Sequence, residues 1–358
     1  MSRALHKCLI LVLVAAWVLA ACAPAAQTPN CARPETFCVG LVTDVGKIDD
    51  KSFNQSTWEG VKQAEKELGA IVKYIETIDA KDYDKNIASF ADEGYDVIVT
   101  VGFGLGEATI AAAQKYPQTY FIGVDQFQAW AVDDDKGNDL PNLAGLIFPE
   151  DQAGFLVGAL AAMMTKTGKI GGVFGTDAVP PVWRFGEGYR AGAKYINPNI
   201  EIFIVYHNDV GFDKTFTDPE WGAATANSMV DKGADVIFGG GGKTGNGAVI
   251  ATAQRGQYAI GVDTDQYYTL PEAAPRLLTS AMKLLTPGTF ELIKAAKDAQ
   301  QGRGTFPAGN YLGKVGYAPF HDLDKEVPAE VKAKMESIYQ MILDGTLQTG
   351  VPPAKPSS

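Results

Sequence analysis

The feature that most constrains this chain is a sustained alternation of short apolar runs and amphipathic helical stretches between residues 39 and 262. The runs at 39–43, 71–75, 97–101 and 120–124 are rich in β-branched residues and continuously apolar. Such runs suit strands covered on both faces. Between them come helical patterns, of which 52–68 is the clearest, with Trp58, Val61, Ala64 and Leu68 at helical spacing. A polar excursion at 133–142 precedes a strand at 143–148. A second series then starts at Asp151, with strands at 169–174, 200–205, 235–238 and 258–262 and helices at 151–164, 184–196, 220–232 and 245–255. Alternation of this kind implies parallel sheets with right-handed crossovers. Two series in succession predict two doubly wound α/β lobes. A further strand at 278–282, a helix at 290–301, a Gly/Pro-rich passage and a helix at 329–343 follow.

The two series also echo each other in residue order. GYDVIVTVGFGLGEATIAAAQKYPQTYFIGVDQFQ starts at Gly94, and GADVIFGGGGKTGNGAVIATAQRGQYAIGVDTDQ starts at Gly233. Both run Asp-Val-Ile, glycine-rich turn, Ala-Gln helix end, Ile-Gly-Val-Asp. Asp125 and Asp263 are thereby counterparts at two strand ends, and facing lobes would point both carboxylates into one cleft. In open α/β sheets ligands bind beyond the carboxyl ends of the strands. Asp44 ends the first strand, Ser52 with Gln55 fits a capping box, and the span from Asp44 to Asn54 lies where a ligand would. The pair Asp49-Asp50 reads as a solvated turn rather than a metal site.

The N-terminus carries Arg3 and Lys7 before an apolar run at 9–21, a signal-peptide core too short for a comfortable membrane span. It ends in Leu19-Ala20-Ala21-Cys22, which resembles the lipobox of bacterial lipoproteins, with Cys22 as the lipidated residue. Cys8 leaves with the signal. Cys31 and Cys38 remain in a compartment that permits pairing, and the sequence leaves open whether they pair. The formal charge of −11 with no basic stripe argues against nucleic-acid binding.

Covalent catalysis finds little support. His6 lies in the signal, and His207 and His321 sit in separate polar stretches without a triad order. The run Gly239 to Gly242 before Lys243-Thr244 resembles a P-loop ending, but Ile237 stands where its first glycine is required. The run Gly102 to Gly106 has Glu107 where a dinucleotide fingerprint needs glycine. Both read as tight turns whose N–H groups can meet a ligand, Gly240 among them. Phe53 and Phe185 open helices in the two lobes and are placed to sandwich a planar ring, a contact worth about 1–3 kcal/mol per base. Lys283, after the 278–282 strand, would offset Asp125 and Asp263 and donate to a ligand hydroxyl, a set suited to a vicinal diol.

The run TDVGKIDDKSFNQSTWEGVKQAEKELG, with GYDVIVTVGF, RFGEGYRAGAKYINPNI, IGVDTDQ and TSAMK, resembles the basic membrane protein family of substrate-binding lipoproteins, whose best-known type is the purine nucleoside receptor A. The resemblance covers nearly the whole mature chain. It implies a type I periplasmic-binding-protein fold of two Rossmann-like lobes, an ABC-transporter permease and ATPase as partners, a purine nucleoside as ligand, and a lipid-anchored monomer without cofactor, metal or catalytic residues. It further implies that Phe53 and Phe185 clasp the base, Asp44 and Asn54 contact the base edge, Asp125, Asp263 and Lys283 hold the ribose, and Gly240 lends backbone contacts. The run 176–183, the bare glycine turn and Trp130 depart from the family pattern around the ligand. Riboflavin, a sugar-type signal and a nucleoside-hydrolase activity are the alternatives. The expected division is a signal at 1–21, a tether at 22–36, one lobe at 37–148 plus 264–303, a second at 149–263 plus 304–348, and a disordered tail at 349–358. The crossings fall near 148–150, 262–265 and 303–308.

Overall fold

The computed structural model describes residues 30–127 and 140–356. The signal, Cys22 and the tether up to residue 29, most of the polar excursion, and Trp130 lie outside the described residues, whereas 30–36 of the tether form turns that lead into β1. Two six-stranded sheets form the body. The first contains β1 (Cys38–Val45), β2 (Ile71–Thr77), β3 (Val97–Val101), β4 (Tyr120–Val124) and β5 (Leu143–Ile147). The second contains β6 (Lys169–Phe174), β7 (Glu201–Tyr206), β8 (Val236–Gly240), β9 (Tyr258–Asp263) and β10 (Leu277–Lys283). Two short strands, β11 (Gly309–Leu312) and β12 (Val315–Tyr317), close one edge of each. The strand orders are β11-β5-β4-β3-β1-β2 and β12-β10-β9-β8-β6-β7. The two lobes are therefore built to one plan, and β3–β4 answers β8–β9 as the sequence echo requires. All pairings are parallel except β10 with β12.

Helices cover both faces. They are α1 (Phe53–Leu68), α2 (Tyr83–Asp92), α3 (Gly106–Lys115), α4 (Glu150–Met164), α5 (Pro180–Ile196), α6 (Pro219–Asp231), α7 (Gly242–Gln254), α8 (Leu285–Gln300) and α9 (Ala329–Leu343). The central strands are buried along most of their length, whereas β2 and β7 are half exposed at the edges. This explains their unbroken apolar character. Helix α5 starts four residues earlier than its apolar pattern indicates, because Pro180 and Pro181 occupy its first turn. Proline is favoured there, since its missing N–H has no helical partner to lose.

The expected lobe boundaries are corrected at two places. Strand β10 pairs with β9 in the second sheet, not with the first lobe, and β11 pairs with β5 in the first sheet, not with the second lobe. The physical reason is the common plan: β10 follows β9 as β5 follows β4, so the second sheet needs β10 to cover its β9 edge. Helix α8 then returns to the first lobe, where Thr286 Oγ1 donates to the Ser56 carbonyl of α1 at 2.7 Å. The chain thus crosses between lobes at 148–149, 284 and 313–314. The Gly/Pro-rich passage after α8 conceals β11 and β12, which at four and three residues are too short to show a pattern. Residues 349–356, expected to be disordered, lie along the second lobe, where Thr349 Oγ1 donates to Asp151 and Lys355 Nζ pairs with Asp177 at 2.6 Å. Cys31 and Cys38 form a disulfide that pins the entering chain to β1.

Helices α4 and α5 pack backbone to backbone through glycines. A Cβ on Gly154 would meet the Phe185 carbonyl oxygen at 2.4 Å, and one on Gly158 would meet the Tyr189 carbonyl oxygen at 2.1 Å. This close approach sets the position of Phe185. Gly158→Ala is expected to destabilise the fold by about 1–3 kcal/mol through overpacking. Chemical denaturation checks it, and an unchanged midpoint contradicts the packing argument.

Candidate functional site

A cleft of about 880 Å³, partly open to solvent, separates the lobes beyond the carboxyl ends of their strands. Asp44, Phe53, Asn54, Asp125, Phe185, Gly240, Asp263 and Lys283 all line it. Asp44 and Asn54 stand at one end. The Asp44 carboxylate accepts from the Tyr83 hydroxyl, from Val45 N–H at 2.7 Å and from Gly104 N–H at 2.8 Å. The 102–106 turn is glycine-rich because Asp44 packs into it. A Cβ on Gly102 would lie 2.6 Å from Asp44 Cβ, and Gly102 has φ of +117°. Burial raises the Asp44 carboxyl, while its three donors pull the other way. Asn54 donates through Nδ2 to the Lys47 carbonyl at 3.2 Å, and its Oδ1 is buried without a hydrogen-bond partner, an acceptor open to a ligand N–H.

Asp125 follows β4 and Asp263 ends β9, both in the left-handed region, with φ of +59° and +65°. Each side chain binds to the opposite lobe. Lys283 Nζ, at the end of β10, donates to Asp125 Oδ1 and Oδ2 at 2.6 and 2.7 Å. Ser52 Oγ, from the first lobe, donates to Asp263 Oδ2 at 2.6 Å. The equivalence extends to Gln126 and Gln266, whose side chains fold against Gly123 and Gly261 of the echoed Ile-Gly-Val-Asp strands. The Lys283 ammonium is surrounded by the rings of Phe148, Phe53 and Phe185 at 4.9, 5.2 and 5.8 Å from their centroids.

Two expectations about the loop before α1 are corrected. Ser52 precedes the helix but its side chain makes no cap; its hydroxyl is taken by Asp263. Asp50 does the capping instead, accepting from Ser52, Asn54 and Gln55 N–H groups at 3.0, 2.9 and 3.1 Å. Asp50 is therefore buried rather than solvated, and only Asp49 is exposed, paired with Lys243 at 3.0 Å. The same loop bridges the lobes through its backbone. Asn246 donates to the Asp50 carbonyl at 2.7 Å, and Thr269 donates to the Lys51 carbonyl at 2.8 Å. Glu150, at the first turn of α4, was not singled out by its sequence context. Its Oε1 lies 3.1 Å from Lys283 Nζ. An acid in a helix's first turn is commonplace, so nothing local distinguishes it.

Two α/β lobes joined by three crossings, with a charged and aromatic cleft between, define a two-lobed solute-binding protein. Among the described residues no helix is long and apolar enough to cross a membrane. The family model for ABC transporter substrate-binding proteins, PnrA-like, matches residues 37–313. The chain is 31% identical over 383 residues to a CD4+ T-cell-stimulating antigen of Listeria monocytogenes, covering 99% of each. It is 33% identical over 240 residues to the ABC transporter nucleoside-binding protein BmpA of Lactococcus lactis, covering 64% of each. Among solved structures it resembles an ABC transporter solute-binding protein of Aeropyrum pernix, with 25% identity, a TM-score of 0.72, and coverage of 87% of this chain and 92% of that one. The chain belongs to the PnrA-like family of ABC transporter substrate-binding proteins.

Burial pushes the carboxyls of Asp50 and Asp263 up to about 6, and that of Glu150 up to about 7 despite the attraction of Lys283. These groups hold protons more tightly folded than unfolded. The unfolded chain binds fewer protons between the ordinary carboxyl range and those values, so stability falls as pH rises from about 4 to about 7. Thermal unfolding across that range should show this slope, and Asp263→Asn should flatten it. A variant with an unaltered slope contradicts the assignment.

Proposed function

We propose that this substrate-binding protein captures a purine nucleoside and presents it to an ABC permease and its ATPase. The observation that carries the reading is the placement of Phe53 and Phe185, from opposite lobes, around the Lys283 ammonium that ties Asp125 across the cleft. A flat base between the rings would put its sugar against the strand-tip acids. Ionised carboxylates accept from hydroxyls, so Asp125 and Asp263 suit a 2′,3′-diol. Asp44 and the open Asn54 Oδ1 suit donors on the base edge. Gly240, where β8 meets the cleft, lends backbone polarity. The nucleoside-binding name of the Lactococcus relative supports the same ligand class.

Binding without turnover suits a site of positioned acceptors and rings, and it is the role carried by the family of substrate-binding proteins to which the chain belongs. The signal and the Leu-Ala-Ala-Cys run support a mature protein anchored by lipid at Cys22, facing outward from the cell membrane.

Calorimetric titration of the mature protein with purine ribosides is expected to show one-site binding and no release of free base. Asp263→Ala should weaken binding by about 1–3 kcal/mol, the value of a hydrogen bond to a charged group. Phe53→Ala should cost a similar amount through lost stacking. Riboside affinity unchanged in both variants would sink the reading. Appearance of free base would favour a hydrolase instead.

A further inference from the structure

Glu150 occupies a place that packing alone does not account for. It opens α4 just past the first crossing, and its side chain is 1% exposed. Oε1 faces Lys283 Nζ at 3.1 Å. Oε2 is buried with no hydrogen-bond partner, and Arg184 Nη1 stands 3.9 Å away, beyond hydrogen-bond reach. A buried carboxylate with one oxygen unmet is costly, and an apolar side chain would serve packing better. The return for that cost lies in what Glu150 does to Lys283.

An ammonium has three donors. Asp125 takes two with its two oxygens, and Glu150 is placed for the third. With Asp125 alone, the ammonium would be held by a single carboxylate, and a ligand hydroxyl drawing on that carboxylate would leave Lys283 without an anchor. Glu150 gives Lys283 a second anchor, set back at the crossing. One arm of the Asp125 contact can then yield to a ligand hydroxyl while Lys283 stays in place. We propose that Glu150 is the positioning residue of the sugar end of the site, holding Lys283 so that Asp125 and Lys283 together can receive a vicinal diol. The inference rests on the nucleoside reading above.

The charged groups around Glu150 are Lys283 from β10, Asp125 from the end of β4, Arg184 from α5 and, through Lys283, Asp263 from β9. Phe53, Phe148 and Phe185 surround the ammonium with apolar surface. Burial, offset by Lys283, brings the Glu150 carboxyl to about 7. Above that pH Glu150 is charged and anchors Lys283; below it the anchor is neutral. Riboside affinity therefore falls as pH drops through 7, and falls again near 6 as Asp263 protonates.

The test is calorimetry on the full mature chain from pH 8 to 5.5, with adenosine, guanosine and their 2′,3′-dideoxy counterparts. In Glu150→Gln, riboside binding at pH 8 is expected to weaken about tenfold, the effect of one charge-assisted hydrogen bond. The decline near pH 7 should vanish while the one near 6 persists. Dideoxy binding should be the same in wild type and variant, which a general loss of structure would not spare. Should the Gln variant fail to fold, Glu150→Asp keeps the charge but retracts it; the step near pH 7 should remain while riboside binding weakens and dideoxy binding does not. Wild-type riboside affinity in Glu150→Gln, or equal weakening of riboside and dideoxy binding in either variant, overturns the proposal. Failure of the wild type to bind any riboside overturns the nucleoside reading as well, and is told apart because in the other outcomes the wild type binds.

Discussion

The structure turns on one buried ammonium. Lys283 ends β10 in the second lobe, and its charge is neutralised by Asp125 from the first lobe and by Glu150 at a crossing between them. A buried lysine is expensive unless paired, and burial alone would favour its neutral form. Here the attraction of Asp125, Glu150 and Asp263 outweighs that penalty and raises Lys283 above its ordinary value. The cost of the burial is carried by the acids, whose carboxyls are all pushed upward by desolvation despite the attraction of Lys283. The cleft is a place where charges have been concentrated at the expense of stability, as binding sites commonly are.

The other cross-lobe contacts repeat the arrangement with different chemistry. Asp125 reaches a lysine of the second lobe, and Asp263 reaches a serine of the first. Both acids depend on a left-handed backbone at the strand tip, a conformation that costs about 1–3 kcal/mol for a residue other than glycine unless the surroundings enforce it. Gln126 and Gln266 brace the segments beside these two tips. Gln126 Nε2 donates to the Gly102 carbonyl at 2.9 Å, and Gln266 Oε1 accepts from Val262 N–H at 3.0 Å. Strain, charge and sequence echo coincide at these two positions.

Much of this was legible in the sequence because the signals are local and repeated. Strand and helix order follows from apolar runs of the right length, and Asp125 with Asp263 stand out through the matched Ile-Gly-Val-Asp segments. What was hidden depends on contacts far apart in the chain. The 277–283 strand has the same local appearance in either lobe, and only the vacant edge of β9 decides its sheet. Ser52 looks like the helix cap and Asp50 like part of a solvated turn, but Asp263, over two hundred residues away, takes the serine hydroxyl and Asp50 accepts from the helix N–H groups. Glu150 looks like an ordinary first-turn acid, and its role becomes visible only when Lys283 is brought beside it.

The three crossings at 148–149, 284 and 313–314 carry a kinetic consequence. They lie side by side, with Gly313 N–H donating to the Ile147 carbonyl and Leu284 N–H to the Lys314 carbonyl, so a rotation that opened the lobes would have its axis close to Glu150 and Lys283. Points near a rotation axis sweep short arcs, and points at the far lip sweep long ones. In such a rotation the ionic end of the crevice would stay nearly assembled, while the 49–52 loop would leave its hydrogen bonds with Asn246 and Thr269. An arriving solute would then meet a half whose geometry is already set, with the remaining half left to fold down over it.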